Sequence, residues 1–254
     1  PPPPPPPPLF FLNPNHAIRD PLWSRGLGDV YKRQPESIKK IYLPLERSDD
    51  RIEKLKEKCG DIGLKVEFSK KVKKSPVVEV IESAKQNLKD LKKTLDLNPS
   101  TNQTFIVLDN IIDPRNLGAI LRTAAVLNID GIIINKDHCA PTTDTVHRVS
   151  CGGSDLLNIF YVSNLLNCIK TLKEFNFEII GFTEHAKDGL QQIRDGNSAL
   201  VFGSEEKGIR AKTLEACDIH VNLIKNDKIN SLNVSVAMGI AANEVIGVKK
   251  SFSN

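Results

Sequence analysis

The sequence predicts an α/β protein in which a mostly parallel sheet, covered by helices on both faces, follows a small α/β module. Three observations carry that expectation. From Gln103 onward, short runs apolar at consecutive positions alternate with segments of helical period, the pattern of strands buried on both faces. Ahead of them, residues 35–97 hold shorter strand and helix patterns in a Lys-rich background. Residues 1–34 show neither period, and Pro1 to Pro8 form a homopolymer that can only run as extended polyproline II.

That first stretch contains half of the 16 prolines of the 254-residue chain. Residues 22–34 read as translated adaptor or vector sequence, no Met opens the chain, and 1–34 is set aside as a low-complexity, disordered probable artefact. Residues 38–43 then read as a strand and 48–59 as a helix. Ile52, Leu55 and Cys59 share one face of that helix, and Asp50 with Glu53 forms a capping box. Leu64, Val66 and Phe68 alternate as a second strand, and 77–81 gives a third. Leu88, Leu91 and Leu95 mark a helix ending before Asn98-Pro99-Ser100. The expected division is a partial module over 35–85, a linker helix and loop over 86–102, and a large domain over 103–254.

In the large domain the expected strands are 105–108, 132–134, 159–162, 178–182, 199–202 and 220–223. The expected helices are 116–127, 143–149, 165–175, 211–216 and 232–248, the last capped by Asn230 or Ser231. On such sheets ligands sit at the carboxyl ends of strands.

Charge is divided unevenly. The net +4 splits into +2 for residues 1–34, +4 for 35–97 (16 basic, 12 acidic) and −2 for 98–254 (15 basic, 17 acidic). A basic module beside a near-neutral domain implies a polyanionic partner. No run reaches the length of a membrane span or signal core, so a soluble, unexported, cytoplasmic protein is expected. Cys59, Cys139, Cys151, Cys168 and Cys217 are odd in number and contain no C-x-x-C pair, which fits reduced thiols. His138, Cys139, His147 and Cys151 match no zinc spacing, and no metal is expected.

Three strand-end loops are unusual. The first runs Asp109-Asn110-Ile111-Ile112-Asp113-Pro114-Arg115-Asn116-Leu117-Gly118-Ala119-Ile120-Leu121-Arg122-Thr123-Ala124, with Pro114 suited to a helix start and Gly118 to close backbone approach. On these residues Asn116 is a helix cap or a functional polar group, and Arg122 a surface or a functional cation. The second is Phe202-Gly203-Ser204-Glu205-Glu206-Lys207-Gly208-Ile209, whose two glycines let backbone lie against a flat ligand or make an ordinary corner. The third leads from Leu223 through the polar loop 225–230 to Ser231-Leu232-Asn233-Val234-Ser235-Val236-Ala237. A Rossmann-like methyltransferase would show a G-x-G-rich loop after its first strand, where this chain has Asp-Pro-Arg-Asn.

Together these segments resemble motifs 1, 2 and 3 of the SpoU (TrmH-type) branch of the SPOUT RNA methyltransferases, in order and at the family's separations. Val149-Ser150-Cys151-Gly152-Gly153 is similar to a further family stretch. The resemblance implies a trefoil-knotted domain over 103–254 and an RNA substrate-binding role for 35–85. It also implies S-adenosyl-L-methionine as cofactor, a homodimer formed through the knotted domain, and methylation of a ribose 2′-hydroxyl in structured RNA. Ribosomal RNA of the large subunit, at a guanosine, is favoured over transfer RNA; a transfer RNA enzyme or a non-catalytic RNA-binding protein retaining the fold are the alternatives.

The catalytic set carried over by resemblance is Arg122, Asn116, Glu205, Ser231 and Asn233. The cofactor contacts are Gly203, Leu223, Leu232, Phe202, Ser204 and Ile209. Since Arg stays protonated in proteins, Arg122 is expected to grip a phosphate and stabilise a developing alkoxide rather than act as a base. One departure stands out: the family's Ile-Pro-Met-x-Gly turn before motif 3 is replaced by Leu223-Ile224-Lys225-Asn226-Asp227.

Overall fold

The computed structural model describes residues 38–45, 50–61, 63–70, 77–80, 85–99, 102–186, 195–224 and 231–252. The expectations for 1–34, for Ile81 and for loop 225–230, including Lys225, lie outside the described residues. The chain forms two compact units divided between Ser83 and Ala84.

In the first unit, strand β1 (Ile38–Pro44), helix α1 (Asp50–Asp61) and strand β2 (Val66–Ser69) make a β-α-β crossover, followed by β3 (Val77–Val80). The sheet order is β2-β1-β3, with β1 parallel to β2 and antiparallel to β3. Ile52, Leu55 and Cys59 of α1 bury against Ile41 and Leu43 of β1. Asp50 is already the first helical residue rather than a cap. With Glu53 it lies in the first turn, where a carboxylate meets the positive end of the helix dipole.

The second unit opens with α2 (Leu88–Leu97). Asn87 caps it: the Lys89 amide donates to Asn87 Oδ1 at 2.8 Å, and the Asn87 amide donates to Asp90 Oδ2 at 2.7 Å. Leu91 and Leu95 bury in this unit's core.

There follow β4 (Thr104–Leu108), α3 (Pro114–Val126), β5 (Gly131–Asn135), α4 (Asp144–Ser150), β6 (Ile159–Val162), α5 (Leu165–Glu174) and β7 (Glu178–Phe182). The chain continues with β8 (Ser198–Phe202), α6 (Ala211–Glu215), β9 (Ile219–Val221) and α7 (Val234–Phe252). All six strands β4 to β9 pair in parallel, in the order β6-β5-β4-β8-β7-β9.

Alternate residues of the central strands feed two cores. Ile106, Leu108, Leu200 and Phe202 pack with α3 and the Met238, Ala241, Ala242 and Val245 face of α7. Phe105, Val107, Ala199 and Val201 pack with α2 and α5 on the other side. Each fully buried Leu, Ile or Phe contributes about 1.5–3 kcal/mol relative to exposure, so this double burial is what fixes the sheet. Gly118 lets α3 meet α4: a Cβ there would lie 2.7 Å from Val149 Cβ.

Two helix starts differ from expectation. Asp113, not Asn116, caps α3, accepting the Arg115 amide at 2.8 Å, with Pro114 at the first helical position. Asn233, not Asn230 or Ser231, begins α7, because its Oδ1 accepts the Ser235 amide at 3.0 Å while its carbonyl accepts the Ala237 amide. β9 ends at Val221, two residues early, because the Asn222 side chain turns the chain by accepting the Ile224 amide at 2.8 Å. The implied knot depends on the whole chain path, which includes loop 225–230 outside the described residues.

Candidate active site

From β4 the chain builds out to β5 and β6, then returns to place β8 beside β4 on the other side. The strand order reverses between β4 and β8, which makes the crevice beyond their carboxyl ends the natural ligand position. The loop leading to Asn116 on α3 and the turn carrying Glu205 leave from these two strand ends, and the segment leading to Asn233 leaves β9.

The structure brings three of the five expected catalytic residues into contact. Asn233 Nδ2 donates to Asn116 Oδ1 at 3.0 Å and to Glu205 Oε1 at 2.6 Å. Asn233 Oδ1 accepts the Ser235 amide at 3.0 Å and the Ser235 hydroxyl at 2.5 Å. Both amide hydrogens and two acceptor positions of Asn233 are therefore engaged, and turning its amide over would set oxygen against the Glu205 carboxylate. Because Asn116 presents its oxygen to Asn233, its NH2 group is left with no partner among the described residues. Glu205 Oε1 also accepts the Val234 amide at 3.4 Å, placing the carboxylate at the positive end of the 19-residue helix α7.

Arg122 stands apart from this trio. Its side chain is exposed on α3, with no hydrogen bond or ion pair among the described residues. The backbone of Gly153 packs against it, a Cβ on Gly153 falling 3.0 Å from Arg122 Cα. Ser231 is exposed just ahead of α7.

The expected cofactor residues divide into two groups. Phe202 is buried and stacks on Phe182, with ring centroids 4.8 Å apart. Ile209 is buried in the core on the α5 side. Ser204 and Gly208 exchange backbone bonds of 3.2 and 2.8 Å, and Ser204 Oγ accepts the Lys207 amide at 3.2 Å. Gly203 is obligatory in this turn, since a Cβ would lie 2.0 Å from the Gly208 carbonyl carbon. The close approach that the two glycines allow is thus to each other. By contrast, Leu223 and Leu232 are partly exposed, and their backbone N–H and C=O groups make no hydrogen bond among the described residues. Backbone donors and acceptors that are unengaged among the described residues, beside apolar side chains, suit an adenine ring, which offers both acceptors and an amino donor.

Two residues to which sequence reasoning gave no role, Asp109 and Arg210, belong to this site. Asp109, fully buried at the end of β4, has Oδ1 2.7 Å from Arg210 Nε. The signal was a lone carboxylate closing the apolar run 104–108.

The four His and Cys residues near 138–151 are not gathered. Cys139 bonds to Leu108 and Ile111 backbone, while His147 Nδ1 lies 2.9 Å from Ser154 Oγ. Among the described residues no group of three His, Cys, Asp or Glu is placed to hold a metal ion.

A parallel sheet with a polar relay at its switch point defines a ligand-binding α/β domain. Comparison with known proteins carries this further. The model of the SpoU rRNA Methylase family matches residues 103–243, and the chain belongs to that family.

Among relatives, the 23S rRNA (guanosine-2′-O-)-methyltransferase RlmB of Neisseria meningitidis serogroup B is 32% identical, over 90% of this chain and 91% of that protein. RlmB of Vibrio vulnificus is 31% identical, over 93% and 96%.

Among solved structures, the SpoU methyltransferase AviRb of Streptomyces viridochromogenes superposes with TM-score 0.71 at 18% identity, covering 88% of this chain and 86% of that one. The AdoMet-bound rRNA methyltransferase of Sinorhizobium meliloti gives 0.66 at 21%, covering 82% and 79%. These two likenesses show the shared fold.

Proposed function

We propose that this protein is an S-adenosyl-L-methionine-dependent RNA methyltransferase acting on a ribose 2′-hydroxyl, at a guanosine of large-subunit ribosomal RNA. The observation that carries the proposal is the relay Asn116–Asn233–Glu205, which joins all three family motifs at one strand-end crevice. The relatives that match over nine-tenths of their length are named for this substrate class.

When bound, S-adenosyl-L-methionine supplies an electrophilic methyl group on a sulfonium. The chain's own residues have two tasks, to hold the nucleophilic oxygen in line with that methyl group and to stabilise the charge that develops on it. Leu223 and Leu232 offer backbone groups and apolar surface to the cofactor, and the closed turn at Gly203 forms its other wall. The NH2 of Asn116, without a partner among the described residues, would serve the substrate as a donor, and Glu205 fixes Asn116 through Asn233. Arg122 holds the target phosphate and steadies the alkoxide by its charge.

The same reading includes a homodimer. Val236 and Ile240 of α7 stand exposed by 49% and 43%, four residues apart on one helix face, opposite the buried Met238 and Ala242. A second copy of the chain covers this face. The basic segment 35–97 grips the polyanionic RNA, and an enzyme of this class works in the cytoplasm; among the described residues no helix is long and apolar enough to cross a membrane.

Mapping 2′-O-methyl positions in total RNA from cells with and without the gene tests the substrate. Loss of one guanosine mark in large-subunit ribosomal RNA is expected; loss of a transfer RNA mark instead would refute that assignment.

A further inference from the structure

The turn at residues 203–209 carries Glu205, yet its internal bonds alone do not fix where it sits. Both of its ends are held by a single residue from another strand. The Asp109 amide donates to the Phe202 carbonyl at 2.8 Å, immediately before the turn. Asp109 Oδ2 accepts the Arg210 amide at 3.1 Å, immediately after it. Asp109 Oδ1 lies 2.7 Å from Arg210 Nε, and this contact is an ion pair rather than an aligned hydrogen bond.

We infer that Asp109 and Arg210 are positioning residues, a buried clasp that closes the ends of the 203–209 turn onto β4 and so presents Glu205 to Asn233. The asymmetry of the pair supports the assignment. Asp109 is fully buried, and a buried carboxylate left without its cation is strongly disfavoured. The Arg210 side chain is 42% exposed, so the cation comes from the turn side and covers the carboxylate from solvent. If the turn swings away it carries the amide and guanidinium of Arg210 with it, leaving Asp109 unpaired in the core. Displacement of the turn is thereby made costly at a point seven to eight residues across the loop from Phe202. Asp109 also follows directly on β4, whose loop leads to Asn116, so one residue references the two loops to each other.

The link from this clasp to turnover rests on the methyltransferase reading, while the clasp itself is read without activity. The test uses the full chain as Arg210→Gln and Arg210→Lys, since the half-exposed Arg210 tolerates replacement better than Asp109. Amide hydrogen exchange is followed by mass spectrometry over 203–209, with β4 as the internal control. In Arg210→Gln, the Ser204, Lys207 and Gly208 amides are expected to exchange at least about tenfold faster while β4 is unchanged; Arg210→Lys restores protection because it keeps the cation. In methyl transfer the same Gln variant loses about tenfold in kcat with KM for RNA unchanged, and Lys recovers it.

Wild-type exchange over 203–209 in Arg210→Gln overturns the clasp. Faster exchange with wild-type kcat overturns its role in positioning. A wild-type protein that neither binds the cofactor nor methylates RNA refutes the enzymatic reading, and the exchange result still decides the clasp.

Discussion

Asn233 donates a 2.6 Å hydrogen bond to Glu205, tying the first turn of α7 to the turn after β8. The same side chain caps α7 through the Ser235 amide. Its two roles are separable by chemistry. Asn233→Ser keeps a good capping oxygen and removes both amide donors, so stability should change by less than about 0.5 kcal/mol. Turnover should fall by about a hundredfold as Asn116 and Glu205 lose their common partner. Thermal denaturation and methyl-transfer kinetics on one sample check both halves; a stable variant of full activity would show that the relay is dispensable.

Arg122 makes no ion pair among the described residues, so its charge is available to substrate. Arg122→Ala should abolish turnover while leaving cofactor affinity, measured by calorimetric titration, within a few fold. Arg122→Lys should recover only part of it, since an ammonium cannot make the two-pronged contact of a guanidinium. An active alanine variant would remove Arg122 from the mechanism.

Gly203→Ala places a methyl group 2.0 Å from the Gly208 carbonyl carbon, against backbone that has no rotamer to move. A cost of about 1–3 kcal/mol is expected, together with loss of cofactor binding as the turn opens. Differential scanning calorimetry reads the first and isothermal titration the second. Unchanged cofactor affinity would mean that the turn does not form the pocket wall.

The five cysteines are chemically unequal. Burial pushes the thiols of Cys168 and Cys217 up to about 12 and raises those of Cys59 and Cys139, whereas Cys151 is partly exposed on a left-handed residue beside Gly152. A thiol raised in this way is neutral until the pH approaches its shifted value, so at pH 8 a group near 12 is thiolate in only about one molecule in ten thousand. Alkylation with iodoacetamide at pH 8 should therefore label Cys151 first. Labelling of Cys168 or Cys217 ahead of it would show that the folded core opens more readily than its packing implies.

Much of the fold was legible because the large domain's strands are buried on both faces. The run 159–162 is apolar at consecutive positions and bounded by Asn158 and Ser163, and the observed strand matches it residue for residue, as the strand expected over 178–182 also does. What periodicity could not supply was strand order. Nothing local in 198–202 says that this strand, the fifth of the six in its sheet along the chain, lies beside the first, β4.

The same limit applied to the site. Motif resemblance nominated Asn116, Glu205 and Asn233, but the contact among them spans 117 residues between Asn116 and Asn233 and exists only after folding. The start of α7 was misplaced because Ser231 and Asn233 are both good caps. The choice went to Asn233, whose oxygen reaches the Ser235 amide while its nitrogen is held by Glu205. Asp109, the first residue of the unusual loop after β4, was given no role because one carboxylate after a strand carries no pattern, and its importance comes from Arg210, 101 residues away.

The exposed α7 face of Val236 and Ile240 gives a further expectation. Val236→Glu with Ile240→Glu should convert a dimer to a monomer in sedimentation velocity, since two carboxylates cannot be buried unpaired at a self-complementary face. A wild-type protein that sediments as a monomer would contradict the assignment of this face.

The most direct test of the central claim is transfer of a labelled methyl group from S-adenosyl-L-methionine to purified large-subunit ribosomal RNA, followed by nucleoside analysis of the product. The account predicts label in 2′-O-methylguanosine, and its absence with Asn233→Ser and Arg122→Ala. Label on a base, or no transfer by a wild-type protein that binds the cofactor, would contradict it.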